Sequence, residues 1–159
     1  NLIITNAAGS TNRDFPPVTL MTAVGHLDCT FRESAQMPEV ERGSDCHSPE
    51  LLKLALEVAK SEQVTLERGV YAWALGPSYE TPAEVQMIQE LGGDAVGMST
   101  VPEIRLAGKL GMRVLTISCL TNFAAGISKQ PLTHDEVMET ANRISGDFAR
   151  LVRGIILAL

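Results

Sequence analysis

The residues best suited to chemistry in this chain stand where short apolar runs give way to hydroxyl, carboxyl and amide side chains. In the stretch GGDAVGMSTVPE, Gly92 to Glu103, the residues Ala95, Val96 and Met98 suit a short buried strand. Thr100, with Pro102 in the first turn and Glu103 three residues on, predicts a capping box opening a helix. Ser99 is then delivered to a strand-to-helix edge, where N–H groups without an internal partner suit an anion. Tyr79 and Glu80 stand at a second such junction, just before a capping box of Thr81 and Glu84 with Pro82 at the first helical position. Thr121 and Asn122 close a third apolar run, and the Asn122 amide can both donate and accept hydrogen bonds. His134 lies in a further box, Thr133 to Glu136. Together an acid, an amide and a hydroxyl at strand ends could address an oxyanion and a polar ring. Taken singly, Ser99 and Thr100 read better as a plain helix cap, Glu80 and Tyr79 equally well as a solvated turn carboxylate and an edge-packing ring, and Asn122 also as an Asx turn.

The elements that would carry these groups follow from periodicity. A strand over Leu2 to Thr5 is predicted to end in the small residues Asn6 to Ser10, a turn whose backbone a ligand could approach closely. Val18 to Val24 forms a second strand candidate behind the rigid Phe15-Pro16-Pro17. Residues 25–47 lose periodicity and read as a long loop. Ser48-Pro49 opens a helix with Leu51, Leu54, Ala55 and Val58 on one face. Gly69 to Leu75 is a strand with Tyr71 and Trp73 on one side and Val70, Ala72 and Ala74 on the other. A helix from Pro82 buries Val85, Ile88 and Leu91, and the helix after Glu103 is expected to turn Ile104, Ala107 and Leu110 inward. Met112 to Leu120 is apolar enough to be buried on both faces. The last helix carries the stripe Val137, Ala141, Ile144, Phe148, Leu151 or Val152, Ile155 and Leu159.

Composition narrows the classes of function. A chain of 159 residues, 45% hydrophobic and 20% charged, reads as a single domain, 1–159, with a core of its own. A net charge of -6 without any basic run speaks against nucleic acid. No apolar run reaches the roughly 20 residues a membrane span requires. Three dispersed cysteines and three dispersed histidines lack metal-ligand spacing, so no metal is expected and the cysteines read as reduced thiols of a cytoplasmic protein. The sequence opens on Asn1 directly before a strand, as an internal segment does.

Four strings in one order then carry a resemblance: TNAAGS from Thr5, GPSYETPAE from Gly76, GGDAVGMSTVPE from Gly92 and SCLTNFAAGISKQPLTHDEV from Ser118. The chain resembles the trimeric purine nucleoside phosphorylases over most of its length, except Val24 to Asp45. The resemblance implies an α/β fold, three α/β/α layers around a mixed central sheet, here incomplete at the N-terminus. It also implies a cytoplasmic homotrimer that cleaves inosine and guanosine with phosphate as co-substrate and no metal or organic cofactor.

By the same resemblance, the Ala7 N–H and Ser99 bind phosphate, while Ala8, Gly9 and Val96 line the base site. Tyr79 packs on the purine, Glu80 accepts from N1–H, and Asn122, supported by Thr121, bridges O6 and N7. Met98 and His134 meet the ribose. The glycine-serine phosphate loop of the family, with its arginine and histidine, is absent from these residues, and an exposed sheet edge is expected in consequence. The family's aromatic contribution to a neighbouring ribose pocket is also unmatched, with Phe31 as a candidate substitute. Two alternatives stay open: a methylthioadenosine phosphorylase, a relative that carries aspartate where Asn122 stands, and an inactive truncated homologue used for binding or assembly.

Overall fold

The computed structural model describes residues 1–128 and 134–159, with only the backbone of 134–137 and 141. The described elements run β1 (Leu2–Ser10), β2 (Thr19–Asp28), α1 (Pro49–Ser61), β3 (Leu66–Trp73), α2 (Pro82–Glu90), β4 (Ala95–Gly97), α3 (Val101–Lys109), β5 (Val114–Phe123) and α4 (His134–Leu157). The strands pair in the order β1-β4-β3-β2-β5, and β5 returns to β1, so the sheet closes on itself. It is mixed: β1/β5, β2/β3 and β3/β4 are parallel, whereas β1/β4 and β2/β5 are antiparallel.

Helices pack on this closed sheet from two directions, in keeping with the expected α/β fold around a mixed sheet. On one side Leu115, Ile117 and Cys119 of β5 pack against Leu51, Ala55 and Val58 of α1 and Ile144, Leu151 and Ile155 of α4. On the other, Val85 and Ile88 of α2 pack on Val70, Ala72 and Val96. Ala8, Met21, Ala23, Tyr71, Ala95 and Leu120 fill the space between the strands together with Val101. Each fully buried Leu or Ile contributes about 1.5–3 kcal/mol, so these clusters fix where the strand ends lie.

Local signals set the helix bounds. Ser48 accepts from the Leu51 N–H at 3.3 Å, and Pro49 opens α1. Thr81 and Glu84 form a complete capping box at α2. Gly92 and Gly111, at φ +84° and +69°, take the left-handed conformation just beyond α2 and α3, where a residue without Cβ is least strained.

The structure departs from the sequence reading at several points. Asn6 to Ser10 is not a turn: β1 continues through it, because Ala7 and Ala8 pair with β5 while Gly9 and Ser10 pair with both β5 and β4. The strand expected to end at Val24 continues to Asp28, and the segment read as a loop is pinned early, the His26 and Glu41 backbones exchanging bonds of 2.9 and 2.8 Å. Thr100 makes no side-chain cap on α3. Leu110 is 68% exposed and Leu159 51% exposed, so neither continues its buried stripe. The expected edge is partial: β4 pairs only with Gly9 and Ser10 of β1, leaving Leu2 to Ala8 paired on the β5 side. The capping box at Thr133 and the side chains of Val137 and Ala141 lie outside the described residues.

Candidate functional site

Three strand ends meet at Gly9, which pairs with Val96 of β4 on one side and Asn122 of β5 on the other. A register shift between Ala8 and Gly9 brings Asn122 to this position. The approach is close. A Cβ at Gly9 would lie 3.1 Å from Asn122 Nδ2, so only glycine leaves the amide unhindered. Thr121 Oγ1 donates to Asn122 Oδ1 at 2.9 Å, and Asn122 Nδ2 donates to the Phe123 carbonyl at 3.0 Å. Both ends of the amide are thereby oriented before any ligand arrives.

The loop beyond β5 then meets the start of α2. Gly126, at φ +82°, would bring a Cβ within 2.9 Å of Pro82 Cβ, so this backbone and α2 can touch only through glycine. That contact couples the position of Asn122 to the Tyr79-Glu80 turn. The capping box holds the same turn from the helix side, with the Thr81 N–H donating to Glu84 Oε2 at 2.7 Å. Gly76, at φ +65°, leaves the space that the Met98 thioether fills, so β4's exit lies against the turn as well.

These contacts produce one cavity of about 290 Å³, lined by Ala7, Ala8, Gly9, Tyr79, Glu80, Val96, Gly97, Met98, Ser99, Thr121 and Asn122. Every candidate residue but one is present. His134 is the exception: its side chain lies outside the described residues. Burial pushes the Glu80 carboxyl above its ordinary range, and the charge of Glu84 adds to the effect. Tyr79 is half exposed and lines this cavity.

A larger cavity of about 530 Å³ lies beyond Tyr79 and Glu80 and is lined also by Cys29, Phe31, Leu75 and Met87. It holds neither Ser99 nor Asn122, and the smaller space is the one where donors and acceptors converge. Phe31 is 42% exposed and borders the larger cavity. Among the described residues no group of three His, Cys, Asp or Glu side chains is placed to hold a metal ion. No helix among them is long and apolar enough to cross a membrane.

Three residues of consequence were not anticipated. Gly97 lines the cavity, and a side chain there would collide with the Tyr71 hydroxyl. Asn6 donates to Thr100 Oγ1 at 3.0 Å, and Tyr71 is fully buried behind Ser99 and Thr100. Asn6 sits in a string read as a turn and Tyr71 in a strand read as packing, so the only usable signal was a polar atom on an inward face.

Ser99, Glu80 and an oriented Asn122 amide thus stand around one space at the ends of a mixed sheet, and the family model of the Phosphorylase superfamily matches residues 1–157. The chain belongs to that superfamily. Within it, the chain is 46% identical to purine nucleoside phosphorylase 1 of Geobacillus stearothermophilus over 98% of its own length and 59% of the relative's. It is 40% identical to a probable 6-oxopurine nucleoside phosphorylase of Moorella thermoacetica, over 87% of this chain and 56% of that one. The structure of Schistosoma mansoni purine nucleoside phosphorylase in complex with inosine superposes with a TM-score of 0.87 at 29% identity, covering 99% of this chain and 61% of that chain. The chain thus spans about 60% of the length of the relatives it matches.

Proposed function

We propose that this chain forms the base-binding and part of the phosphate-binding half of a purine nucleoside phosphorylase acting on 6-oxopurine nucleosides such as inosine and guanosine. The observation that carries the reading is the single cavity uniting Glu80, Ser99 and Asn122. In the reaction a phosphate oxygen forms a bond to C1′ of the sugar as the C1′–N9 bond breaks, and the electron pair of that bond leaves with the purine. The free base and the pentose 1-phosphate result, with no metal or organic cofactor required of these residues.

Each residue then has a role matched to where charge develops. The Ser99 hydroxyl and the Ala7 N–H hold phosphate, Tyr79 stacks on the base, and Ala8, Gly9 and Val96 wall it in. Glu80 accepts from N1–H and from any 2-amino group. Asn122 bridges O6 and N7, stabilising charge on the departing purine as it develops; Thr121 keeps its amide turned that way. Met98 lies against the ribose, and His134 is assigned the 5′-hydroxyl. Because Asn122 interacts most strongly with the base once charge has moved onto it, its contribution falls on the rate. The amide also favours a 6-oxo over a 6-amino purine, which sets this reading above a methylthioadenosine phosphorylase. We further read the chain as one domain of a cytoplasmic homotrimer.

The test is conversion of inosine to hypoxanthine by the purified chain with and without phosphate, alongside adenosine. Phosphate-dependent release of hypoxanthine, with adenosine far slower, supports the proposal. Binding of inosine without turnover would instead assign the chain to assembly or nucleoside binding. Asn122→Ala is expected to lower kcat far more than it weakens hypoxanthine binding, and equal losses would count against leaving-group stabilisation.

A further inference from the structure

Thr100 has a conformation that its sequence does not favour. Its φ of 84° and ψ of -46°, with the Val101 N–H donating to the Ser99 carbonyl at 3.0 Å, form a three-residue γ-turn on the positive-φ side. That form is rare and strained, and the branched Thr side chain makes it worse than glycine would. The strain is held in place by what the side chain touches. Thr100 is 2% exposed, and its Oγ1 accepts from Asn6 Nδ2 at 3.0 Å and lies 3.0 Å from Ser99 Oγ. Tyr71, from β3, presses its hydroxyl toward the same pair, into the space that Gly97 leaves open.

The chemistry of the donors fixes the first hydrogen bond of this series and allows the second to run on toward Ser99. An amide NH2 can only donate, so Thr100 Oγ1 is an acceptor toward Asn6 and its own proton is available for Ser99 Oγ. In that direction Ser99 Oγ accepts from Thr100 and keeps its own proton to give. Ser99 is exposed on the cavity side, so that proton faces the space assigned to phosphate. A chain of aligned donors also strengthens the last bond in the series.

We infer that Asn6 and Tyr71 are positioning residues that hold the strained Thr100 turn and thereby present Ser99 to phosphate as a hydrogen-bond donor. The inference rests on the phosphate role given to Ser99 under the proposed function. Neither residue touches the substrate: Asn6 sets the direction of the proton chain, and Tyr71 fills the back of the turn.

The test compares the parent chain with Asn6→Asp, Tyr71→Phe and Thr100→Gly, measuring phosphate and hypoxanthine affinities by calorimetry and melting temperature in the same buffer. The carboxylate of the Asn6→Asp variant accepts rather than donates and reverses the chain, while Thr100→Gly keeps the turn without strain but loses the hydroxyl. Each of these two variants is expected to weaken phosphate roughly 10-fold or more, the scale of a hydrogen bond to a charged group, and Tyr71→Phe by a smaller factor. Hypoxanthine affinity should stay within about 3-fold, and Thr100→Gly should keep the parent's melting temperature. Parent-like phosphate affinity in Asn6→Asp and Thr100→Gly overturns the inference. So does a parallel loss of both ligands with a lowered melting temperature, which is what a merely structural role would give. A parent chain that binds hypoxanthine but no phosphate removes the phosphate role of Ser99 itself, and the inference falls with it.

Discussion

Replacing Gly9 by alanine asks whether the close approach of Asn122 to β1 matters for the reaction. The new methyl would lie 3.1 Å from Asn122 Nδ2 and 3.6 Å from Ala124. Comfortable contact begins at about 3.5 Å, so the amide must retreat by about 0.4 Å. It cannot do so freely, because Thr121 Oγ1 holds its Oδ1 and the Phe123 carbonyl holds its Nδ2. The backbone itself accepts the change, since Gly9 is not among the positive-φ residues. Alanine in a strand is favoured over glycine by about 0.5–1 kcal/mol, so the melting temperature should hold or rise slightly. The loss falls instead on the bond to the departing base. A hydrogen bond to a charged group is worth about 1.5–3 kcal/mol, and misalignment forfeits half of it, about 0.75–1.5 kcal/mol. That corresponds to a kcat lower by about 4- to 12-fold. Steady-state phosphorolysis of inosine and thermal melting of both proteins supply the comparison. A Gly9→Ala protein with parent-like kcat and an intact fold would refute the account of Asn122.

Three further expectations follow from the same geometry. Burial raises the Glu80 carboxyl above its ordinary 4.5, so base affinity should fall on the acid side at a pH above that value, and Glu80→Gln should abolish this limb of the titration. The buried pair His26 Nδ1 and His47 Nε2, 3.0 Å apart, should make the fold acid-sensitive. Burial and the neighbouring His26 bring His47 down to about 4 from 6.5, so between those values the unfolded chain binds the proton and the folded chain does not. Stability is therefore complete above about 6.5 and falls as pH drops toward 4, by about 3 kcal/mol for His47 alone. Urea melts across that range should show the slope, and His47→Gln should flatten it. Thr81→Ala removes the capping box and should cost about 0.5–2 kcal/mol in the same melts, with hypoxanthine affinity reduced because the Glu80 turn loosens.

Local chemistry was legible in the sequence wherever one segment decides its own structure. Ser48-Pro49 and Thr81-Pro82 cap their helices as read, and the two faces of β3 separate as alternation requires. Segments whose fate depends on distant partners were not legible. The string from Asn6 to Ser10 has the composition of a turn but becomes strand because β4 and β5, from far along the chain, flank it, and no local pattern encodes such pairing. Thr100 satisfies the capping pattern by spacing, yet its hydroxyl is engaged by Asn6, 94 residues away, and turned into the interior. Glu80, Ser99 and Asn122 were found because strand ends are where carboxyl, hydroxyl and amide residues break an apolar run, whereas Ala7, Ala8, Gly9, Val96 and Met98 were placed by the family resemblance. Asn6 and Tyr71 were missed because they stand one layer behind, where a polar side chain looks like any other in a strand.

A crystal structure of the chain with hypoxanthine and phosphate is the most direct test of the shared cavity. The purine ring is predicted to lie against Tyr79, with Glu80 at its N1 edge and Asn122 at its N7 and O6 edge, and phosphate on Ser99 and the Ala7 N–H. A purine seated instead in the larger cavity beside Cys29 and Met87, away from Asn122, would contradict it.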